Sequence, residues 1–205
     1  MAMITPMIKP VITPMTDVSP AAATAQAAAA AKLQAAFEAL YRDRMQDVPI
    51  LNGRLRVACI GMRGCDDGWL AALVTPWFIN LMLLPASAEA AEAWRGIDIG
   101  GKSLHQFPAG RFEFIMGELA DIGRYRMCSL FSPVLEFEDQ AAAELTAAAA
   151  LDALFDAEHG DNAEARASGA VAAEQAAVVA PAATAGTPSR RGLLFGPASV
   201  RGGQS

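Results

Sequence analysis

The chain has 205 residues, a formal net charge of −6 at pH 7 and an apolar fraction of 53%, much of it alanine. This acidic balance argues against a nucleic-acid-binding protein that relies on a broad basic surface. No stretch reaches the roughly 20 bulky apolar residues of a membrane-spanning helix, and we expect no membrane protein. The N-terminus lacks the order of a secretory signal, and three cysteines without a Cys-x-x-Cys pair argue against a zinc or disulfide framework.

The N-terminal part divides into a proline-rich tail and a helix. Four prolines fall within the first 20 residues, and proline disfavours both helices and central strands, so we predict a flexible tail over residues 1–29. The sequence is compatible with a helix from Ala21 to Tyr41, where Leu33, Phe37 and Leu40 recur on one face. This spacing predicts a helix that is anchored by its second half.

Short apolar runs separated by turn residues fill the middle of the chain. Their alternation and spacing are typical of strands joined by tight turns, which favours an antiparallel sheet of about five strands over crossover units. A glycine- and aspartate-rich turn is expected from Gly61 to Gly68. The predicted strands cover residues 54–60, 69–74, 77–84, 112–116 and 125–131.

A second helix follows the strands. Asp139 is placed to cap its N-terminus, and its apolar residues are spaced to form one stripe that covers the sheet. The predicted fold is therefore α+β over residues 30–156, with N-terminal and C-terminal helices packed on the sheet and with disordered or loosely helical tails. The residues of the predicted stripe are Ala141, Leu145, Ala148, Leu151 and Phe155.

Two segments follow the predicted domain. Residues 157–188 contain no aromatic residue and no Leu, Ile or Met, which is too little apolar surface for a core, and they are interpreted as an alanine-rich linker. Residues 189–205 form a C-terminal tail that contains Ser-Arg-Arg-Gly-Leu-Leu-Phe-Gly.

Catalytic motifs are absent from the sequence. There is no Gly-x-Ser-x-Gly, P-loop or Gly-x-Gly-x-x-Gly motif, so we predict no catalytic residue, no metal and no cofactor. His105 is interpreted as a surface residue of an edge strand. Cys128 lies close to two arginines, which would lower a thiol pKa and make it reactive; the favoured interpretation is a small packed side chain. Cys59 and Cys65 lack further metal ligands nearby.

Aromatic residues are concentrated between Trp69 and Phe114. Most of them are expected in the core. Asn80 inside an apolar run and the break at Thr75-Pro76 suggest a strand that is not fully enclosed, which would leave an aromatic docking patch.

Four blocks of sequence resemble a known family. The blocks are Thr75–Pro85, Phe107–Glu118, Ile122–Val134 and the helix end at Ala153–Asp156, and they resemble the nickel–iron hydrogenase assembly chaperones of the HybE type, also called HupJ-related. The resemblance implies a non-enzymatic cytoplasmic chaperone that binds the hydrogenase large subunit, or the small-subunit precursor with its signal peptide, together with other maturation proteins.

The matching blocks also supply the candidate contact residues. Gly117 and Gly123 belong to the same blocks and are interpreted as turn residues that need positive φ. The predicted contact residues in the domain are Trp77, Phe78, Asn80, Glu113, Phe114, Glu118, Arg124, Tyr125, Cys128 and Ser129.

The C-terminal tail adds a separate hypothesis. Ser189-Arg-Arg-Gly-Leu-Leu is similar to a twin-arginine export motif, although such motifs act at the N-terminus. Arg190 and Arg191 either imitate an export signal on the protein's own binding surface or belong to a plain basic tail.

Two other functions remain open at this point. One is a thiol-dependent protein that ligates or protects an immature metal site through Cys128. The other is an α+β domain that binds a small molecule.

Overall fold

The structure is a computed structural model that describes residues 11–12, 19–46, 48–65 and 68–156. The described residues form one antiparallel sheet with three α helices, and a π-helical turn over Tyr41–Met45 extends the first helix. The strands are β1 Ala58–Cys65, β2 Gly68–Val74, β3 Ile79–Leu84, β4 Lys102–Phe107, β5 Gly110–Leu119 and β6 Gly123–Phe131. The helices are α1 Pro20–Leu40, α2 Ala88–Trp94 and α3 Gln140–Ala153.

The sheet consists of two meanders that meet in its centre. Its strand order is β1-β2-β3-β6-β5-β4, and each neighbouring pair is antiparallel. The two halves join where β3 pairs with β6, with Leu81 opposite Cys128. The predicted α+β class with an antiparallel sheet is confirmed. The sheet has six strands where about five were predicted. The strand that was not predicted is β4, because its mixed polar and apolar residues form no apolar run in the sequence.

Helix α1 forms where its sequence predicts, but it begins at Pro20, so the flexible tail predicted over residues 1–29 was wrong from residue 20. Ser19 caps the N-terminus by accepting a hydrogen bond from the Ala22 N–H at 3.3 Å, and proline follows at the first helical position, where no intrahelical N–H bond is lost. Leu33, Phe37 and Leu40 are buried, as predicted. The alanine-rich first half is helical as well, because alanine has the highest intrinsic helix propensity.

The buried face of α3 differs from the predicted stripe. Asp139 does cap the helix, with the Ala142 N–H donating to its carboxylate at 2.8 Å. Leu145, however, is 73% exposed, and the buried residues of the helix are Ala143, Ala147 and Leu151. Alanine methyl groups let the helix lie close to the sheet, so the small residues face inward and the large one faces solvent.

Strand β1 continues into the region predicted as a turn. It extends to Cys65, and its register with β2 shifts between Ile60 and Arg63. Gly61 lies in this irregularity with φ +62°, a conformation that glycine adopts without strain. Gly61 therefore lies at a bulge in an edge strand. The prediction of a turn from Gly61 to Gly68 was wrong for residues 61–65, which belong to β1.

Both faces of the sheet carry a core. One core lies beneath α3 and includes Leu70, Leu81 and Phe114, while the other lies beneath α1 and includes Phe78 and Tyr125. Strands covered on both faces need continuous apolar sequences, which explains the run in β3.

The expectation of an open strand at Asn80 was wrong. Asn80 is fully buried within β3, and its side-chain amide lies 3.8 Å from the sulfur of Met127. The polar residue marks a buried contact in the α1-side core, because helix α1 covers the sheet face that the sequence had suggested would be open.

Candidate partner-binding surface

Half of the predicted contact residues in the domain are core residues. Their side chains are between 0% and 3% exposed, and they therefore present little surface to a partner in this structure. These residues are Trp77, Phe78, Asn80, Phe114 and Tyr125.

A turn between β2 and β3 fixes two of these aromatic side chains. The Phe78 N–H donates to the hydroxyl oxygen of Thr75 at 2.9 Å, which closes the turn. The Phe78 ring packs edge-to-face on Phe37 with 5.9 Å between centroids, and the Trp77 ring stacks on Tyr41 at 5.9 Å. The Thr-Pro-Trp-Phe sequence thus joins the end of α1 to the sheet.

Tyr125 is held against a glycine. A Cβ atom at Gly117 would lie 2.7 Å from the hydroxyl oxygen of Tyr125, so only glycine leaves room for the ring at this cross-strand position. Burial raises the pKa of the Tyr125 hydroxyl. The interpretation of Gly117 as a turn residue was wrong, because it lies inside β5 and packs against Tyr125; Gly123 has the expected positive φ, of +75°.

The partly exposed members of the predicted set lie on the β5–β6 hairpin. The Lys102 ammonium pairs with Glu113 across β4 and β5 at 2.8 Å, and Glu118 lies 3.6 Å from the guanidinium of Arg124. Cys128 and Ser129 are half-buried on β6. Glu118, at 47% side-chain exposure, is the most accessible of these ion-pair members that the sequence had singled out.

Arg124 also forms hydrogen bonds that hold α2 on the sheet. Its guanidinium donates to the carbonyl oxygen of Trp94 at 2.9 Å and also to that of Ile97. Trp94 is the last residue of α2, where carbonyl groups lack partners within the helix, and Ile97 lies in the turn that follows. Arg124 therefore fastens α2 to the sheet beside the exposed carboxylate of Glu118.

The Cys128 thiol is held in its neutral form. Burial, with a smaller contribution from the negative charge of Glu113, raises the pKa of Cys128 to about 12. Arg124 binds the carbonyl groups of α2, and Arg126 lies over the Trp94 ring, so neither arginine has the effect on the thiol that their proximity in sequence suggested. The geometry favours the interpretation of Cys128 as a packed side chain and does not favour the thiol-dependent function.

We expect Cys128 to resist alkylation. At pH 8 a thiol with a pKa near 12 has about a thousandfold less thiolate than an unperturbed one, and only the thiolate reacts. Iodoacetamide labelling, followed by peptide mass spectrometry, should be slower by about that factor in the native chain than in urea. Below pH 10 the native rate should rise about tenfold per pH unit.

Cys59 is the internal control for this measurement. Burial raises its pKa to about 11, so its labelling should exceed that of Cys128 by about tenfold at the same pH. A Cys128 rate that levels off below pH 8 would show a lowered pKa and would contradict the structure.

His105 is a buried residue, and its interpretation as a surface residue was wrong. It lies on β4, fully buried, with its Nε2 atom 3.0 Å from both the Ser103 hydroxyl and an Arg126 nitrogen. The guanidinium of Arg126 stacks 4.3 Å from the centroid of the Trp94 ring. The N-terminal segment at Ile12 bonds to β4, and this edge strand is consequently covered.

Several leucine side chains are exposed at positions that the sequence did not indicate as contact residues. Leu104 is 49% exposed on β4, Leu135 is 55% exposed before α3, and Leu145 is 73% exposed on α3. In a sequence, leucine indicates a core position, and an exposed leucine can be distinguished from a buried one only in the folded structure. They are additional candidates for contact with a partner.

Arg190 and Arg191 lie outside the described residues, as do the linker and the C-terminal tail. Among the described residues, no group of three or more His, Cys, Asp or Glu side chains is arranged to hold a metal ion. None of the helices in that part of the chain combines the length and apolar character that crossing a membrane requires.

The fold is that of an α+β domain whose antiparallel sheet is covered by helices on both faces. Residues 28–196 match the model of the family described as nickel–iron hydrogenase assembly chaperone, HybE. The chain belongs to this family, as its sequence blocks had indicated. The match extends past the described domain and includes the twin arginines and the Leu-Leu-Phe segment that follows them.

Curated relatives carry names from the same field. The chain is 43% identical over 111 residues to the hydrogenase expression/formation protein HupJ of Bradyrhizobium diazoefficiens, covering 54% of this chain and 62% of that protein. It is 38% identical to the probable rubredoxin HupJ of Rhodobacter capsulatus, covering 61% of this chain and 44% of that protein. The matches thus span about half of the length of these relatives.

A similar solved structure is that of HybE from Escherichia coli. It is 23% identical, with a TM-score of 0.39, and the alignment covers 83% of this chain and 91% of that one. The hydrogenase-2 operon protein HybE of Escherichia coli K12 is 30% identical over 101 residues, covering 49% of this chain and 60% of that protein.

Proposed function

We propose that this protein is an accessory chaperone in nickel–iron hydrogenase maturation. It binds hydrogenase subunit precursors in the cytoplasm during cofactor assembly and before export. The observation that carries this proposal is the family match over residues 28–196, and the names of the relatives, hydrogenase expression/formation proteins, agree with it.

The proposed contact surface is the exposed part of the β5–β6 hairpin. Side chains alternate along a strand, so Glu118 lies on the α3-side face of the sheet, and Glu113 and Ser129 lie on the α1-side face. Buried aromatic residues lie beneath both faces. Rigid scaffolds that present a few exposed polar and apolar side chains suit the binding of another polypeptide. The proposed role is that of a binding protein, and no reaction step is assigned to any residue.

Affinity purification from the native host tests the proposal. The full-length tagged chain should co-purify with a hydrogenase large or small subunit, identified by mass spectrometry, and the small subunit should retain its signal peptide. Preparations that never contain a hydrogenase subunit would contradict the proposed function.

A single substitution tests the contact surface. Glu118→Gln should lower the recovery of the precursor about fivefold, as the loss of about 1 kcal/mol of binding energy implies. Glu38→Gln, an exposed carboxylate on α1, is the matched control and should leave recovery unchanged. Equal recovery with both variants would remove Glu118 from the contact surface.

Arg190 and Arg191 are proposed contacts of the C-terminal tail. Replacing both by lysine keeps the charge but removes the planar guanidinium groups that bind carboxylates in pairs. Lower precursor recovery would assign them to the precursor contact, and higher recovery would assign them to a signal mimic that competes with it.

A further inference from the structure

The outer edge of β1 carries hydrogen-bonding positions that a further strand could use. β1 ends the strand order, and β2 is its partner within the sheet. The Cys59 N–H donates to the side-chain oxygen of Gln34 at 3.3 Å, and the side-chain amide of Gln26 donates to the carbonyl oxygen of Met62. A carboxamide has the same donor and acceptor groups as a peptide bond. The two glutamines therefore occupy places where the backbone of an added strand would bond.

A groove lies beside this edge. It has a volume of about 350 Å³ and runs between the first half of α1 and the bulge of β1. Among the described residues, its walls carry no charged side chain and consist mainly of methyl groups, which suits an apolar segment. The lining residues are Ala23, Gln26, Ala27, Ala30, Gly61 and Met62.

The chain leaves the described domain next to the same strand. Arg63 of β1 pairs with Asp152 near the end of α3 at 2.7 Å, and its guanidinium lies 5.3 Å from the centroid of the Phe155 ring. Residues 157–205 follow. Residues 157–192 form a chain that is long enough to reach this edge, because an extended chain spans about 3.3 Å per residue.

The sequence beyond α3 offers one bulky apolar segment. Residues 157–188 lack Leu, Ile, Met and aromatic side chains, whereas Leu193, Leu194 and Phe195 are consecutive and flanked by Gly192 and Gly196. The family match ends at this second glycine. Because the segment belongs to the same chain as the edge, its binding is intramolecular and has an effective concentration that does not fall on dilution.

We propose that Leu193–Phe195 bind along the outer edge of β1 as an added strand. Because successive side chains of a strand point to opposite faces, Leu194 enters the groove between α1 and Gly61–Met62, and Leu193 and Phe195 lie on the α3 side of the strand. The carboxamides of Gln26 and Gln34 then turn outward, and peptide groups of the segment replace them. This contact goes beyond the proposed function, because it lies within one chain and needs no hydrogenase subunit. A partner segment that uses the same edge has to displace the tail first.

Hydrogen exchange on the isolated full-length chain tests this contact. Replacing Leu193, Leu194 and Phe195 by alanine should speed exchange of the amides at Gly61–Arg63 about tenfold, while the β4 amides stay unchanged. The control replaces Val178 and Val179 by alanine and should change neither strand. Identical β1 exchange in the triple variant and the parent chain would overturn the proposal.

Disulfide trapping gives an independent result. Under mild oxidation, Ala27→Cys combined with Leu194→Cys should form an intramolecular disulfide, whereas Ala149→Cys, on the exposed side of α3, should not pair with the same partner. Equal yields from both pairs would overturn the proposal. A disulfide between two molecules would assign the edge to a second copy instead. Protection of β1 that arises only after a hydrogenase precursor is added would assign it to the partner, and both outcomes count against the tail.

Discussion

Replacing Phe78 by alanine should lower the free energy of unfolding by about 4 kcal/mol. Its ring is 1% exposed and contacts Phe37 and Trp77 edge-to-face, with centroids 5.9 and 5.4 Å away. Truncation leaves a cavity at the junction of α1 with the β2–β3 turn, and the surrounding sheet can collapse little because it is covered on both faces. Urea denaturation followed by tryptophan fluorescence measures the change.

Phe78→Leu is the matched control, since it keeps most of the buried volume and should lose about half as much stability. The outcome also bears on function. Phe78 was predicted as a partner contact from the sequence, and a stable Phe78→Ala variant with weakened partner binding would show that the ring reaches the surface. A destabilised variant agrees with its place in the core.

Gly68→Ala should be similarly destabilising and should lower the free energy of unfolding by about 3 kcal/mol or more. Gly68 opens β2 with φ +146°, which disfavours any side chain, and its Cβ atom would overlap the backbone carbonyl oxygen of Leu84. Backbone on the neighbouring strand cannot move aside as a flexible side chain can. The first residue pairs of β2 with β1 and β3 would therefore separate.

Gly53→Ala is the control for this substitution. A Cβ atom at Gly53 would meet nothing within 4 Å, so the change should alter stability by less than about 1 kcal/mol. The comparison uses the urea midpoints of both variants. Equal midpoints would mean that the approach of β2 to β3 at Gly68 is looser than the structure describes.

The positions of the helices and strands could be predicted from the sequence more accurately than the face that each of them buries. Leu33 and Phe37 identify the inner face of α1, because large apolar side chains are rare elsewhere on that helix. In α3 the same reasoning selects Leu145 in place of Ala143 and Ala147. An alanine-rich helix carries almost no periodic signal, and the close approach that buries its methyl groups is a property of the tertiary packing.

Candidate contact residues were harder to predict than the fold. Sequence blocks shared with a family contain both core and surface residues. The sequence alone does not show that Phe78 is buried in the core and that Glu118 is exposed. Leu135 and Leu145 show the reverse error, since exposed leucines look like core residues until the packing is known. The pKa of Cys128 likewise depends on burial within the sheet and not on the adjacent arginines.

Helix α3 follows the second meander in the chain but packs mainly on β2 and β1 of the first. The chain thus returns to cover the half of the sheet that it formed earlier. The first meander lacks one of its two covers until α3 is made, and the second meander is held to the first through β3 and β6. A ribosome must therefore release most of the domain before either half can reach its native state, and the halves should unfold together in a single cooperative step.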